Sequence, residues 1–183
     1  MEFVKSFSQA KIIKYLFIAL MGSIILAISS KIKIPFYPVP MTMQTLVVLI
    51  IGIGFGWKIG VTVVSLYLFE GIIGLPVFSG TPEKGIGIIY FTGPTMGYLL
   101  GFLATVYVSG KFVFDNNIVK NFLKLFFATS LIYILGVLWL GILIGWDKPI
   151  LQLCVQPFLL AELFKILIAT LAINQIKKIK NLI

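Results

Sequence analysis

Apolar positions in this chain come in long runs, without the alternation or the one-sided helical stripe of a water-exposed fold. Six such runs are predicted to be membrane-crossing helices, over about residues 12–29, 41–55, 59–73, 94–109, 122–144 and 157–176. A span needs roughly 20 apolar residues, so the second and third runs are short. Pro35, Pro38 and Pro40 forbid a helix interior between the first two runs. Gly56-Trp57-Lys58 reads as a tight turn between the second and third. Over residues 74–93, five glycines and two prolines break any helix. That stretch still keeps Val77, Phe78, Ile86 and Tyr90, so it is predicted to dock on the helices as a lid. Pro94 suits the first position of the fourth run. There Gly93, Gly97 and Gly101 repeat every four residues, a small-residue face for close helix packing.

Composition fixes the solvent. The chain is 60% hydrophobic and 11% charged, with a mean hydropathy of +1.09. A water-soluble domain of this size lacks the polar surface to cover that much apolar area, whereas lipid solvates it directly. The expectation is an all-α integral membrane protein of six transmembrane helices, folded as a single membrane domain over residues 1–183. The first run is too long for a signal peptide and is read as a retained helix.

The net charge of +9 comes from lysine alone, and the lysines sit at the ends of apolar runs. That is the pattern of topology signals and not of a nucleic-acid-binding face. Ten lysines fall on the side of the termini: 5, 11, 14, 58, 111, 120, 124, 177, 178 and 180. Four fall on the other side: 31, 33, 84 and 148. The positive-inside rule then places both termini in the cytoplasm of a multi-pass cell-membrane protein. The proline connector, the glycine-rich stretch and the loop at residues 145–149 all face outward, forming a cup suited to an external solute.

Candidate chemistry is sparse. Histidine is absent and Cys154 is the single cysteine, which excludes a Cys/His metal site, an internal disulfide and a histidine-based catalytic triad. No Gly-x4-Gly-Lys-Ser/Thr loop is present. What stands out is Glu162 and Lys165, three residues apart and so on one helical face inside an apolar run. Each charge alone costs about 2.5–3.5 kcal/mol near the bilayer centre. They are either a self-neutralising packing pair or part of a ligand site. The lysine asymmetry puts them in the outer half of the sixth run.

Four stretches resemble one family. They are Ile34-Pro35 with Pro38-Val39-Pro40-Met41-Thr42-Met43-Gln44-Thr45-Leu46; Gly74-Leu75-Pro76-Val77-Phe78-Ser79-Gly80; Gly93-Pro94-Thr95-Met96-Gly97-Tyr98; and Pro157-Phe158 followed by Glu162 and Lys165. Together they resemble the BioY family, the biotin-specific substrate-binding S-component of energy-coupling factor (ECF) transporters. The resemblance implies the six-helix S-component fold and capture of biotin from outside, with no cofactor. It implies as partners a transmembrane coupling subunit and two cytoplasmic ATPases. The family's carboxylate and lysine of the sixth helix map onto Glu162 and Lys165. Biotin has two ureido N–H donors, a ureido oxygen, an apolar bicycle and an anionic tail. A carboxylate suits the N–H groups; an ammonium suits the ureido oxygen or the tail. Phe78, Tyr90, Tyr98 and Phe158 are the expected walls, with Thr42, Gln44 and Ser79 as hydrogen-bonders. The family's small-residue contact for the coupling subunit maps onto Ala19 and Ser23, with Ala27 extending the face. An S-component for another small vitamin and a non-transporting scaffold subunit are the alternatives. A membrane enzyme finds no equipment in this sequence.

Overall fold

A computed structural model of the protein describes residues 2–35, 37–83 and 85–180, with side chains described within residues 12–178. Lys84 and the side chains of Lys5, Lys11 and Lys180, which entered the topology argument, lie outside the described residues. Helix α1 (Glu2–Lys31) carries the first predicted run. Ala19, Ser23, Leu26 and Ser30 recur at helical spacing and are buried, while Leu16, Leu20, Ile24 and Ile28 are exposed. The buried stripe packs on α2, close enough that a Cβ at Gly22 would meet the Val63 side chain.

The proline connector corrects the all-α expectation. Strand β1 (Lys33–Ile34) pairs antiparallel with β2 (Met41–Thr42), Lys33 opposite Thr42 and Ile34 opposite Met41. The prolines exclude helix but leave the flanking residues extended, and two extended segments close in sequence can pair with each other.

Helix α2 (Gln44–Ile72) is a continuous assignment of 29 residues, broken at Gly56, whose φ of 75° and ψ of 175° are not helical. Gln44 Nε2 donates to Tyr67 Oη at 2.7 Å. In an unbroken helix those residues would stand about 35 Å apart. The chain therefore doubles back at Gly56, a residue for which positive φ is cheap. Two arms result, 44–55 and 57–72, matching the second and third predicted runs.

Helices α3 (Met96–Lys111) and α4 (Ile118–Ile144) carry the fourth and fifth runs. They approach through the predicted glycine face. A Cβ at Gly97 would stand 2.3 Å from the Leu135 carbonyl oxygen, and one at Gly101 2.5 Å from Ile132 Cα. The Asn117 side chain caps α4 by accepting from the Lys120 N–H at 2.9 Å. A short helix α5 (Ile150–Cys154) precedes the sixth run, which is itself divided into a 3-10 turn (Gln156–Phe158), α6 (Leu159–Leu171) and α7 (Ile173–Lys180).

Among the described residues, four stretches are long and apolar enough to cross a membrane: Ile12–Lys31, Gln44–Ile72, Ile118–Ile144 and Ile150–Leu171. Two buried clusters fill the interior. One gathers Leu26, Tyr67, Phe78, Tyr98 and Phe158 beneath the glycine-rich stretch. The other joins Leu49, Leu125 and Ile166 with Ile173 of α7. Because α3 and α4 touch at Gly101, Gly101→Leu should drive them apart and destabilise the protein by about 1–3 kcal/mol. Thermal unfolding in detergent checks this, and an unchanged midpoint would show that the helices separate without cost.

Candidate ligand-binding site

A cavity lies among the two arms of α2, α3, α4, α6 and the glycine-rich stretch. Phe78, Tyr90, Tyr98 and Phe158 supply its aromatic wall, and Thr42, Gln44, Ser79 and Glu162 its polar edge. The structure thus brings together every predicted ligand contact except Lys165.

Local chemistry explains how the wall is held. Phe78 stacks on Tyr90 with ring centroids 4.7 Å apart and meets Tyr67 edge-on at 5.2 Å. Its ring lies where a Cβ of residue 71 would be, so Gly71 makes room for it. The backbone behind Phe78 is tied at successive carbonyls. Ser30 Oγ donates to Val77 O at 2.7 Å and Tyr67 Oη to the same oxygen at 3.2 Å. Lys31 Nζ donates to Phe78 O at 2.8 Å, and Tyr90 Oη to Ser79 O at 2.6 Å. Burial pushes the Tyr90 phenol above its ordinary range, which keeps it a neutral donor. The stretch is docked, as its apolar content predicts. Tyr98 is oriented by donating to Cys154 O at 2.9 Å.

Glu162 and Lys165 are both buried, at 5% exposure each, and their ion pair is 2.6 Å long. An ammonium has three donors, and here all three are used. They reach Glu162 Oε1 at 2.6 Å, Thr42 O at 2.6 Å and Thr45 Oγ1 at 3.1 Å. Thr45 Oγ1 in turn donates to Glu162 Oε1 at 3.0 Å. Lys165 therefore stands behind Glu162 and fixes it, and does not line the cavity as the sequence suggested. The other carboxylate oxygen is different. Glu162 Oε2 is buried and makes no hydrogen bond of full geometry, and the Tyr133 phenol is the protein group placed to interact with the same carboxylate. Ser79 Oγ is likewise buried and unpartnered. Two of the three unsatisfied buried side-chain oxygens among the described residues thus belong to this one cavity. Such groups are uncommon in folded proteins, and each calls for an explanation.

Sequence reasoning missed Thr45, Tyr67, Thr95 and Tyr133, all in the cavity wall. The available signal was a polar group inside an apolar run, since a buried phenol or hydroxyl needs a partner. The same signal applies to Glu70, whose Oε1 accepts from Ser23 Oγ at 2.7 Å. Ser23 and Ala19 are accordingly buried against α2, and Ala27 is half-buried, so most of this small-residue stripe already has a partner within the chain.

Lys165→Met should leave the Glu162 carboxylate buried without its cation and cost about 3–5 kcal/mol. Adding Glu162→Gln should recover much of the loss. Unfolding of both variants in detergent tests the pair, and a stable single variant would mean that Glu162 tolerates isolation.

Comparison with known proteins identifies the family. The family model described as "BioY family" matches residues 4–181. A protein named probable biotin transporter BioY, from Rickettsia prowazekii (strain Madrid E), is 32% identical over 165 residues, covering 88% of this chain and 82% of that protein. The biotin transporter BioY of Thermotoga maritima is 31% identical over 157 residues, covering 85% and 91% respectively. The crystal structure of an S-component for biotin from an ECF-type ABC transporter superposes with a TM-score of 0.76. It covers 92% of this chain and 93% of that one at 23% identity, a likeness of fold. With a family model spanning nearly its whole length, this chain belongs to the BioY family.

Proposed function

We propose that this multi-pass membrane protein captures biotin from outside the cell and delivers it across the membrane as the S-component of an ECF transporter. The single observation that carries the reading is Glu162. One carboxylate oxygen is locked by Lys165 and Thr45, and the other is left at the wall of an aromatic cavity. A ureido ring supplies the N–H donors that oxygen lacks, and its fused apolar ring suits Phe78, Tyr98 and Phe158. Thr42, Gln44, Ser79 and Tyr90 complete the proposed contacts, with Lys165 acting through Glu162. The names of the relatives and of the structural neighbour support the same ligand.

The proposal counts six crossings in one membrane domain: α1, the two arms of α2, α3, α4 and α6, with both termini cytoplasmic. The Gln44–Tyr67 bond supports the two-arm count, and the lysine asymmetry supports the orientation. A transmembrane coupling subunit and two cytoplasmic ATPases supply the energy in this reading. Of the predicted contact face, Ala27 is the member that a coupling subunit reaches without displacing α1.

Purified protein in detergent, freed of co-purified ligand, should bind labelled biotin and retain it against an excess of other vitamins. Glu162→Ala should weaken binding roughly 10–100-fold, the loss expected for a hydrogen bond to a charged group. Displacement of biotin by another vitamin at equal concentration would reassign the ligand.

A further inference from the structure

We infer that Lys31, at the end of α1, supplies the positive charge that balances the tail carboxylate of the bound ligand. The inference rests on the biotin reading and assigns the end of the ligand that Glu162 does not hold.

The ligand brings an anion into a cavity whose own charged wall residue, Glu162, is also an anion. Two ammonium groups hold the backbone or side chains of cavity-wall residues, Lys165 through Thr42, Thr45 and Glu162, and Lys31 through Phe78. Lys165 is neutralised by its 2.6 Å ion pair and has no donor left. Lys31 is held by neutral oxygens alone: Phe78 O at 2.8 Å, Thr81 Oγ1 at 3.1 Å and Thr81 O at 3.5 Å. Among the described residues the ion pairs are Lys124–Asp115 and Lys165–Glu162, so no carboxylate pairs with Lys31. Its charged neighbours, Lys33 and Glu83, are of opposite sign.

Position agrees with charge. The segment that Lys31 grips is the one that presents Ser79 Oγ, a buried unpartnered hydroxyl in the cavity wall. Ser79 is the residue directly after Phe78, whose carbonyl receives the ammonium. Lys31 is itself exposed and outside the cavity lining, and a carboxylate accepting from Ser79 Oγ would lie one residue along the loop from the carbonyl that Lys31 holds. Lys31 acts there as a positioning residue, through its field and through the loop it holds.

Binding of biotin and of biotin amide, whose tail is neutral, separates the two roles. Lys31→Met should weaken biotin roughly tenfold relative to the unmodified chain while changing biotin amide by less than about twofold. Lys31→Arg should restore the biotin preference. Ser30→Ala removes a neighbouring tether of the same loop without touching charge, so it should affect both ligands alike. Equal losses for both ligands in Lys31→Met, no loss for either, or a shifted preference in Ser30→Ala would each overturn the assignment. If the unmodified chain bound neither ligand, the biotin reading itself would fall; biotin amide bound as tightly as biotin by every variant would overturn only the role of Lys31.

Discussion

The ion pair between Glu162 and Lys165 is the constraint around which this structure is arranged. Two buried charges survive in an apolar interior only when each has its partners. Lys165 satisfies all three of its donors by reaching β2 and the first arm of α2. This fixes the proline hairpin and α6 against each other. The arrangement also explains why a carboxylate oxygen can be left open. Once Oε1 is compensated, Oε2 is a strong acceptor without the full desolvation penalty of a lone anion. A ligand that donates to it gains a charge-assisted bond in a low-dielectric site.

A second set of constraints holds the opposite wall. Carbonyl oxygens at Val77, Phe78 and Ser79 receive donors from α1, from the second arm of α2 and from Tyr90. An irregular stretch rich in glycine makes few hydrogen bonds of its own, so external donors must satisfy its backbone. The same Tyr67 phenol that donates to Val77 accepts from Gln44. The cavity floor and the lid therefore share one hydroxyl.

Dimensions matter as well. The arms of α2 are about 18 and 24 Å long by helical rise, short of the roughly 30 Å hydrocarbon core. Close contact at Gly97 and Gly101 draws α3 and α4 together beside the cavity, which lets Tyr98 and Tyr133 face it. Small residues are what permit such approach where lipid offers no hydrophobic drive between helices.

Much of this was legible from the chain alone. Long apolar runs, prolines and glycines fix where helices can and cannot be, because those limits are local. The turn at Gly56 was legible even though the backbone on either side is continuously helical. Glu162 stood out because an intramembrane charge is costly wherever its helix goes. The rest depended on contacts distant in sequence. The contact of Lys165 with Thr42 and Thr45 lies across 120 or more residues of separation. The burial of Ala19 and Ser23 follows from α1 packing on α2, and a small-residue stripe looks the same whether its partner is another subunit or the next helix. Sequence thus determined which groups had to be satisfied, since burial and charge are properties of the residues. Only the tertiary structure decided which group satisfies which, because that is settled by distances of a few ångströms between elements that the chain brings together last.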